Sequence, residues 1–274
     1  MCPPTLVYNT QQLYDIATNT WSTIGNLTLP TSDLAAFSDD NFLYIVGGYT
    51  DGYIAQSQLL LLQYDKDSKG LTQNTGASLE FGRGDITAAT DGTVAYISGG
   101  WTDINNFCVP LGTVEQYTIA TNQWSTLPDV LNTPRADKAL VLLNGRLLAL
   151  GGEKAFDEKC PLLAANETTD LPLWEQTIAV DDVEVLEGDK WVVISELHDF
   201  RFRFAAVSVD AEDTIYTFGG QQAFNATCNC FRTSNEIVAY KEVVVSDPPT
   251  MTSEASLWSM GICSLTAVIV MGMF

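Results

Sequence analysis

Gly-Gly occurs at Gly47-Gly48, Gly99-Gly100, Gly151-Gly152 and Gly219-Gly220, and each pair closes a short apolar run. The runs are Phe-Leu-Tyr-Ile-Val, Val-Ala-Tyr-Ile-Ser, Leu-Leu-Ala-Leu and Thr-Ile-Tyr-Thr-Phe. The steps between pairs are 52, 52 and 68 residues. Self-similarity at a period near fifty, with strand-like units, predicts blades repeated around an axis. The repeat fixes the architecture before any chemistry is considered.

The rest of the unit repeats in register. Sixteen residues before the first glycine stand Thr31, Arg83, Arg135 and Arg203; fourteen before it stand Asp33, Asp85, Asp137 and Ala205. After each pair comes a loop, then a strand carrying tyrosine, a turn and a tryptophan. Tyr14 to Trp21 and Tyr117 to Trp124 take the same seven-residue step, and Tyr64 to Leu71 keeps the step without the tryptophan. Val183 to Trp191 is a shortened version, and Glu236 to Tyr240 is the last. Asn144-Gly145 and Asp91-Gly92 read as tight hairpin turns between the first two strands of a blade.

Arginine, double glycine, tyrosine and tryptophan at these offsets resemble the kelch repeat over roughly residues 11–245. The resemblance implies an all-β propeller of four-stranded antiparallel blades. The residues themselves agree: the runs are short, rich in Val, Ile, Leu, Tyr and Thr, and bounded by turn residues. Blades are expected to start near Leu34, Ile86, Lys138 and Phe204, with the last strand of the first blade poorly marked and the fourth blade supplying three strands. Two further strands, near 11–16 and 20–24, precede the first blade. Either they complete the fourth blade in a closed ring, or the chain is part of a larger propeller, the reading favoured here.

The ends suggest a division into a start at 1–10, a propeller at 11–245, a polar linker at 246–256 and an apolar segment at 257–274. That last segment, from Leu257 to Phe274, has no charged residue and is long enough to span a hydrocarbon core of about 30 Å. A terminal transmembrane helix and a lipid-anchor signal both fit it, and a final buried element is the bland alternative. No secretory signal is visible from Met1. Against a cytosolic propeller stand three glycosylation triplets, at Asn26, Asn166 and Asn225. Three cysteines weigh more: Cys108, Cys160 and Cys228 each lie eight residues after the second glycine of a pair. Neighbouring blades bring equivalent loops together, so Cys108–Cys160 is the expected bridge, with Cys228 joined to Cys230 or elsewhere. Such bonds persist in oxidising compartments.

The formal net charge is −21, from 13 basic and 34 acidic side chains. A surface of that sign excludes sustained binding to nucleic-acid phosphates. It favours solubility, or cationic and basic partners. The copper radical oxidases that share the kelch architecture need two histidine ligands, whereas this chain has one histidine, His198. No strand-to-helix nucleophile elbow surrounds any serine. The chain is therefore expected to be neither an enzyme nor a metal or cofactor protein. The resemblance places the residues before each inner strand at the mouth of the central channel. Asp33, Asp85 and Asp137 are expected to gather negative potential there, unless Arg83, Arg135 and Arg203 pair with them. The favoured function is a membrane-anchored, non-catalytic binding propeller facing the lumen or exterior, with loops 153–179 and 221–234 varying the surface. Its partner would be a protein or peptide, basic in one reading, or a carbohydrate. A cytosolic, tail-anchored kelch adaptor and a fragmentary relative of the galactose-oxidase-like carbohydrate oxidases are the alternatives.

Overall fold

The computed structural model describes residues 7–68, 70–102, 108–156, 160, 176–225, 227, 230–241 and 268–269. An antiparallel hairpin, β1 (Thr10–Asp15) and β2 (Thr20–Asn26), opens the chain. The first blade follows with β3 (Ala35–Ser38) and β4 (Leu43–Val46). A small side hairpin, β5 (Tyr49–Thr50) and β6 (Ile54–Ala55), leaves the blade before β7 (Leu59–Asp65) and β8 (Gly70–Thr75) complete it. The second blade is β9 (Thr87–Thr90), β10 (Val94–Ser98), β11 (Val114–Thr118) and β12 (Gln123–Thr126). The third is β13 (Ala139–Leu143) and β14 (Arg146–Leu150), a side hairpin of β15 (Glu153–Ala155) and β16 (Thr177–Ala179), then β17 (Asp182–Glu187) and β18 (Lys190–Glu196). The fourth is β19 (Ala205–Val209) and β20 (Thr214–Phe218), a side hairpin of β21 (Gln221–Asn225) and β22 (Cys230–Thr233), then β23 (Ile237–Lys241) and β24 (Val268–Ile269).

The four blades stand around one axis, with β3, β9, β13 and β19 innermost and side by side. Each interface between blades is an apolar layer. Phe37, Tyr44 and Val46 of the first blade meet Ala95, Ile97 and Tyr117 of the second. Val141, Leu148 and Val183 of the third meet Ile215, Val238 and Tyr240 of the fourth. A blade between two neighbours is covered on both faces, which is why β13 and β14 read as Ala-Leu-Val-Leu-Leu and Arg-Leu-Leu-Ala-Leu without strict alternation. The opening hairpin sets Gly25 against Leu71, beside an apolar patch of Leu27, Leu60 and Leu62.

The double glycine is explained by the approach of the next blade. Gly48, Gly100 and Gly152 donate their N–H groups to the carbonyls of Arg83, Arg135 and Arg201, one blade further on. The glycine before each donor has φ between 53° and 69°. A Cβ on Gly47 would lie 2.6 Å from the Arg83 carbonyl oxygen, and one on Gly151 2.5 Å from that of Arg201. Positive φ and this close approach together leave glycine as the fitting residue.

The same arginines tie the second, third and fourth blades internally. Arg83 is buried and donates to Glu115 at 2.8 Å and to the carbonyls of Gly99 and Thr113. Arg135 is buried between Glu184 at 3.2 Å and Asp182 at 3.6 Å and donates to the Ala149 carbonyl. Arg201, not Arg203, holds this place in the fourth blade, between Asp199 at 3.1 Å and Glu236 at 3.6 Å. The cause is the turn Asp210–Asp213, two residues longer than Asn144-Gly145, which shifts the count back from Gly219.

The first blade's faintly marked outer strand, β8, forms as expected, with Leu71 pairing across from Tyr64. One further expectation changes. In place of the expected C-terminal helix, Val268–Ile269 is extended and pairs with β23. Among the described residues no helix is long and apolar enough to cross a membrane. The remainder of 257–274, the linker 246–256 and residues 1–6 lie outside the described residues.

Removing one partner of a buried pair leaves a desolvated charge, at a cost of about 3–5 kcal/mol. Arg83→Met is therefore expected to lower unfolding free energy by roughly that amount in urea titrations, and Arg83→Met with Glu115→Met to regain most of it.

Candidate binding site at the channel mouth

Each inner strand is preceded by a residue in the left-handed region: Asp33, Asp85, Asp137 and Arg203, with φ between 50° and 54°. Their backbones form a ladder around the axis. Asp85 N–H donates to the Asp33 carbonyl at 3.0 Å, Asp137 N–H to Asp85 at 3.1 Å, and Arg203 N–H to Asp137 at 2.8 Å. Aspartate tolerates this conformation better than most residues. The three expected carboxylates are thus brought together at one end of the channel, around a cavity of about 100 Å³ that Lys138, Arg203 and Phe204 also line.

The expected arginines divide. Arg83 and Arg135 are buried inside their blades and pair with Glu115, Glu184 and Asp182 rather than with the mouth aspartates. Arg203 does reach the mouth, where its Nε donates to Asp137 at 2.8 Å and its guanidinium lies 3.9 Å from Glu153. Glu153 also accepts from the Thr177 hydroxyl at 2.8 Å. Tyr49 completes the cluster, with its hydroxyl 3.2 Å from the Trp101 carbonyl and against Asp85. Tyr49, Trp101, Glu153 and Gln221 all follow a Gly-Gly directly and bridge back to Ser32, Gly84, Ala136 and Phe202. That shared position was the unread signal for Glu153 and Tyr49.

Burial decides the protonation of this cluster. It pushes Asp85 up to about 8, helped by Asp137 and Asp33 and opposed by Arg203. Glu153 is likewise pushed up to about 8 by burial and by Asp137. Asp137 is raised by burial, with Arg203 pulling the other way. For Arg203 burial acts downward, but Asp137 and Glu153 outweigh it and strengthen its hold on the proton. Lys138 stands where the other blades have Leu34, Ile86 and Phe204; burial, then Arg135 and Arg83, bring its amine far below the usual lysine range. Its amine donates to the Ser98 carbonyl.

Around the mouth lie two larger cavities. One of about 250 Å³ is lined by Tyr8, Asp33, Asp51 and Tyr53; another of about 460 Å³ by Asp199, Phe200, Gln222, Phe224 and Arg232. Among the described residues, ligand atoms of His198, Asp199 and Glu236 also fall within 4.8 Å of one another. The buried Arg201 between Asp199 and Glu236 already serves as their counter-charge.

Cys108 and Cys160, on equivalent loops of the second and third blades, are joined by a disulfide with Cα atoms 5.3 Å apart. Cys230 is also disulfide-bonded, while Cys228 lies outside the described residues. Of the glycosylation triplets, Asn26 is exposed at the end of β2, Asn225 ends β21, and Asn166 lies outside the described residues.

Blades of antiparallel strands around an axial channel define a β-propeller. Residues 82–131, which span the second repeat, match the Kelch motif. The solved structure of YjhT superposes with a TM-score of 0.70 over 87% of this chain and 74% of that one, at 14% identity, a likeness that speaks for the fold alone. The molecule is a β-propeller, and its second repeat carries the Kelch motif.

A carboxyl whose folded pKa is raised stabilises fully below its unfolded value, near 4, and loses that contribution as pH rises through the folded value. Stability is therefore expected to fall between about pH 4 and pH 8 as Asp85 and Glu153 lose protons. Asp85→Asn, which keeps the shape and accepts positive φ, is expected to raise the melting temperature more at pH 9 than at pH 5. Equal shifts at both values would show that Asp85 is charged throughout.

Proposed function

We propose that this propeller is a non-catalytic binding module that takes a basic protein segment at its mouth, on the side away from the cytosol. The observation that carries the reading is the concentration of acidic groups where the blade loops converge. Asp33 and Asp51 line one cavity, Asp85 and Asp137 the axis, and Asp199 the third cavity, against Arg203 and Arg232. With Asp85 and Glu153 holding protons near neutral pH, the attraction comes chiefly from the exposed rim, Asp33 and Asp51, while the buried cluster supplies rigid walls. Loops on a stiff scaffold suit recognition, and a potential of one sign steers oppositely charged partners. Of the two recognition loops, the described part of 221–234 carries residues of the cavity of about 460 Å³, and most of 153–179 lies outside the described residues.

The disulfide supports the compartment. Cys108–Cys160 fixes two mouth loops to each other, and such bonds last where thiols are not kept reduced.

Binding of a lysine-rich peptide is expected to weaken about tenfold in Asp33→Asn with Asp51→Asn, a loss of ~1.4 kcal/mol, and to fall with added salt. Unchanged affinity in that variant, by calorimetry or surface resonance, would remove the mouth rim as the site. Cys108→Ser with Cys160→Ser is expected to cost about 2–4 kcal/mol of unfolding free energy. Peptide mapping without reduction should recover the linked pair from native protein.

A further inference from the structure

The arc of blades has two ends, and both are built like the interfaces inside it. In the third blade Val141 and Val183 face the fourth blade and are 5% and 5% exposed. Their register equivalents on the far side of the fourth blade, Val207 and Ile237, are 47% and 52% exposed, and Phe218 beside them is uncovered too. Gly219 keeps φ at 60°, yet the nearest atom to a Cβ there is the Ser234 carbonyl of its own blade at 3.4 Å. The glycine that elsewhere admits the next blade's arginine is present with no such neighbour among the described residues.

At the other end, Tyr14 and Trp21 on the opening hairpin have ring centroids 5.0 Å apart at 39°, nearly the 4.8 Å and 40° of Tyr117 and Trp124. Tyr117 is buried against Phe37 and Tyr44 of the preceding blade, whereas Tyr14 is 40% and Trp21 67% exposed. The positions that correspond to Phe37 and Tyr44 in the fourth blade are Val207 and Tyr216, on its uncovered face.

We infer that these two faces mate between copies of this chain, the hairpin of one copy covering the fourth blade of the next. The contact continues an interface that the chain already makes between its first and second blades. Tyr14 and Trp21 would lie over Val207 and Tyr216 as Tyr117 and Trp124 lie over Phe37 and Tyr44. It is heterologous, so copies add head to tail and the assembly keeps one free face of each kind unless it closes. The charge of −21 per copy opposes association, and salt relieves that repulsion.

Sedimentation equilibrium of the full chain over a range of concentrations tests this. In high salt the mass is expected to rise above the 29.9 kDa of one chain, and less so in low salt. Trp21→Asp and Val207→Asp, both at exposed positions, are each expected to return a monomer with an unchanged melting temperature. Mixing the two variants should restore a dimer, because each keeps the face the other lacks. A monomer under all conditions would overturn the inference and leave the faces to further blades or to another protein. Association that both variants retain, or a mixture that stays monomeric, would overturn it equally.

Discussion

The buried arginine ahead of the second, third and fourth inner strands holds the molecule together in two directions. Its carbonyl takes the N–H of the second glycine from the blade before, and its guanidinium binds strands of its own blade through a buried acid. A charge so placed is tolerable only with its partner. The blades obey this jointly. Where the first blade has Thr31 in place of arginine, it has Leu60 in place of glutamate, so both charges are gone together. Where the fourth blade has Val238 at the glutamate position, Arg201 is served by Asp199 and Glu236 from neighbouring positions. Gly-Gly follows from the same constraint, because an arginine carbonyl seated that close leaves no room for a side chain.

This explains how much of the fold was legible. Glycine pairs and the Tyr–Trp step report local needs, a positive φ and a cross-strand ring pair, and these recur at fixed offsets. The Cys108–Cys160 bridge was legible for the same reason, since equal offsets place equivalent loops side by side. The fourth blade departs because its inner hairpin, Ala205–Phe218, is two residues longer than the span Ala139–Leu150, so a fixed offset from Gly219 lands two residues late. Arg203 then fell into the arginine column, although it belongs with the aspartates. The strand β8 was faint because Gly70 to Thr75 carries little apolar signal, and its pairing with β7 supplies what the side chains do not.

The mouth residues were located but their chemistry was not. Burial is a property of three blades meeting, and no single segment records it. Asp85 and Asp137 read in the sequence as a source of negative potential at the channel mouth, and they are enclosed with Glu153, Tyr49 and Arg203. Glu153 carries no type signal in the sequence, because it follows a glycine pair where the other blades place Tyr49, Trp101 and Gln221, a position that varies in type while keeping its role in bridging to the lead-in strand.

The aspartates at the axis also answer to conformation before they answer to any ligand. Each sits at positive φ and passes a backbone hydrogen bond to the next blade, tasks that asparagine or glycine would perform. Arg203 occupies the same conformation in the fourth blade, so the position does not demand an acid. What it adds there is a counter-charge for Asp137, without which burial would drive that carboxyl further from ionisation. The enclosed cluster is thus largely self-balanced, and the unbalanced charge of the mouth lies outside it, on exposed side chains such as Asp33 and Asp51. Those are the residues through which a net charge of −21 becomes a local field, and recognition at this face depends on them more than on the carboxylates nearest the axis.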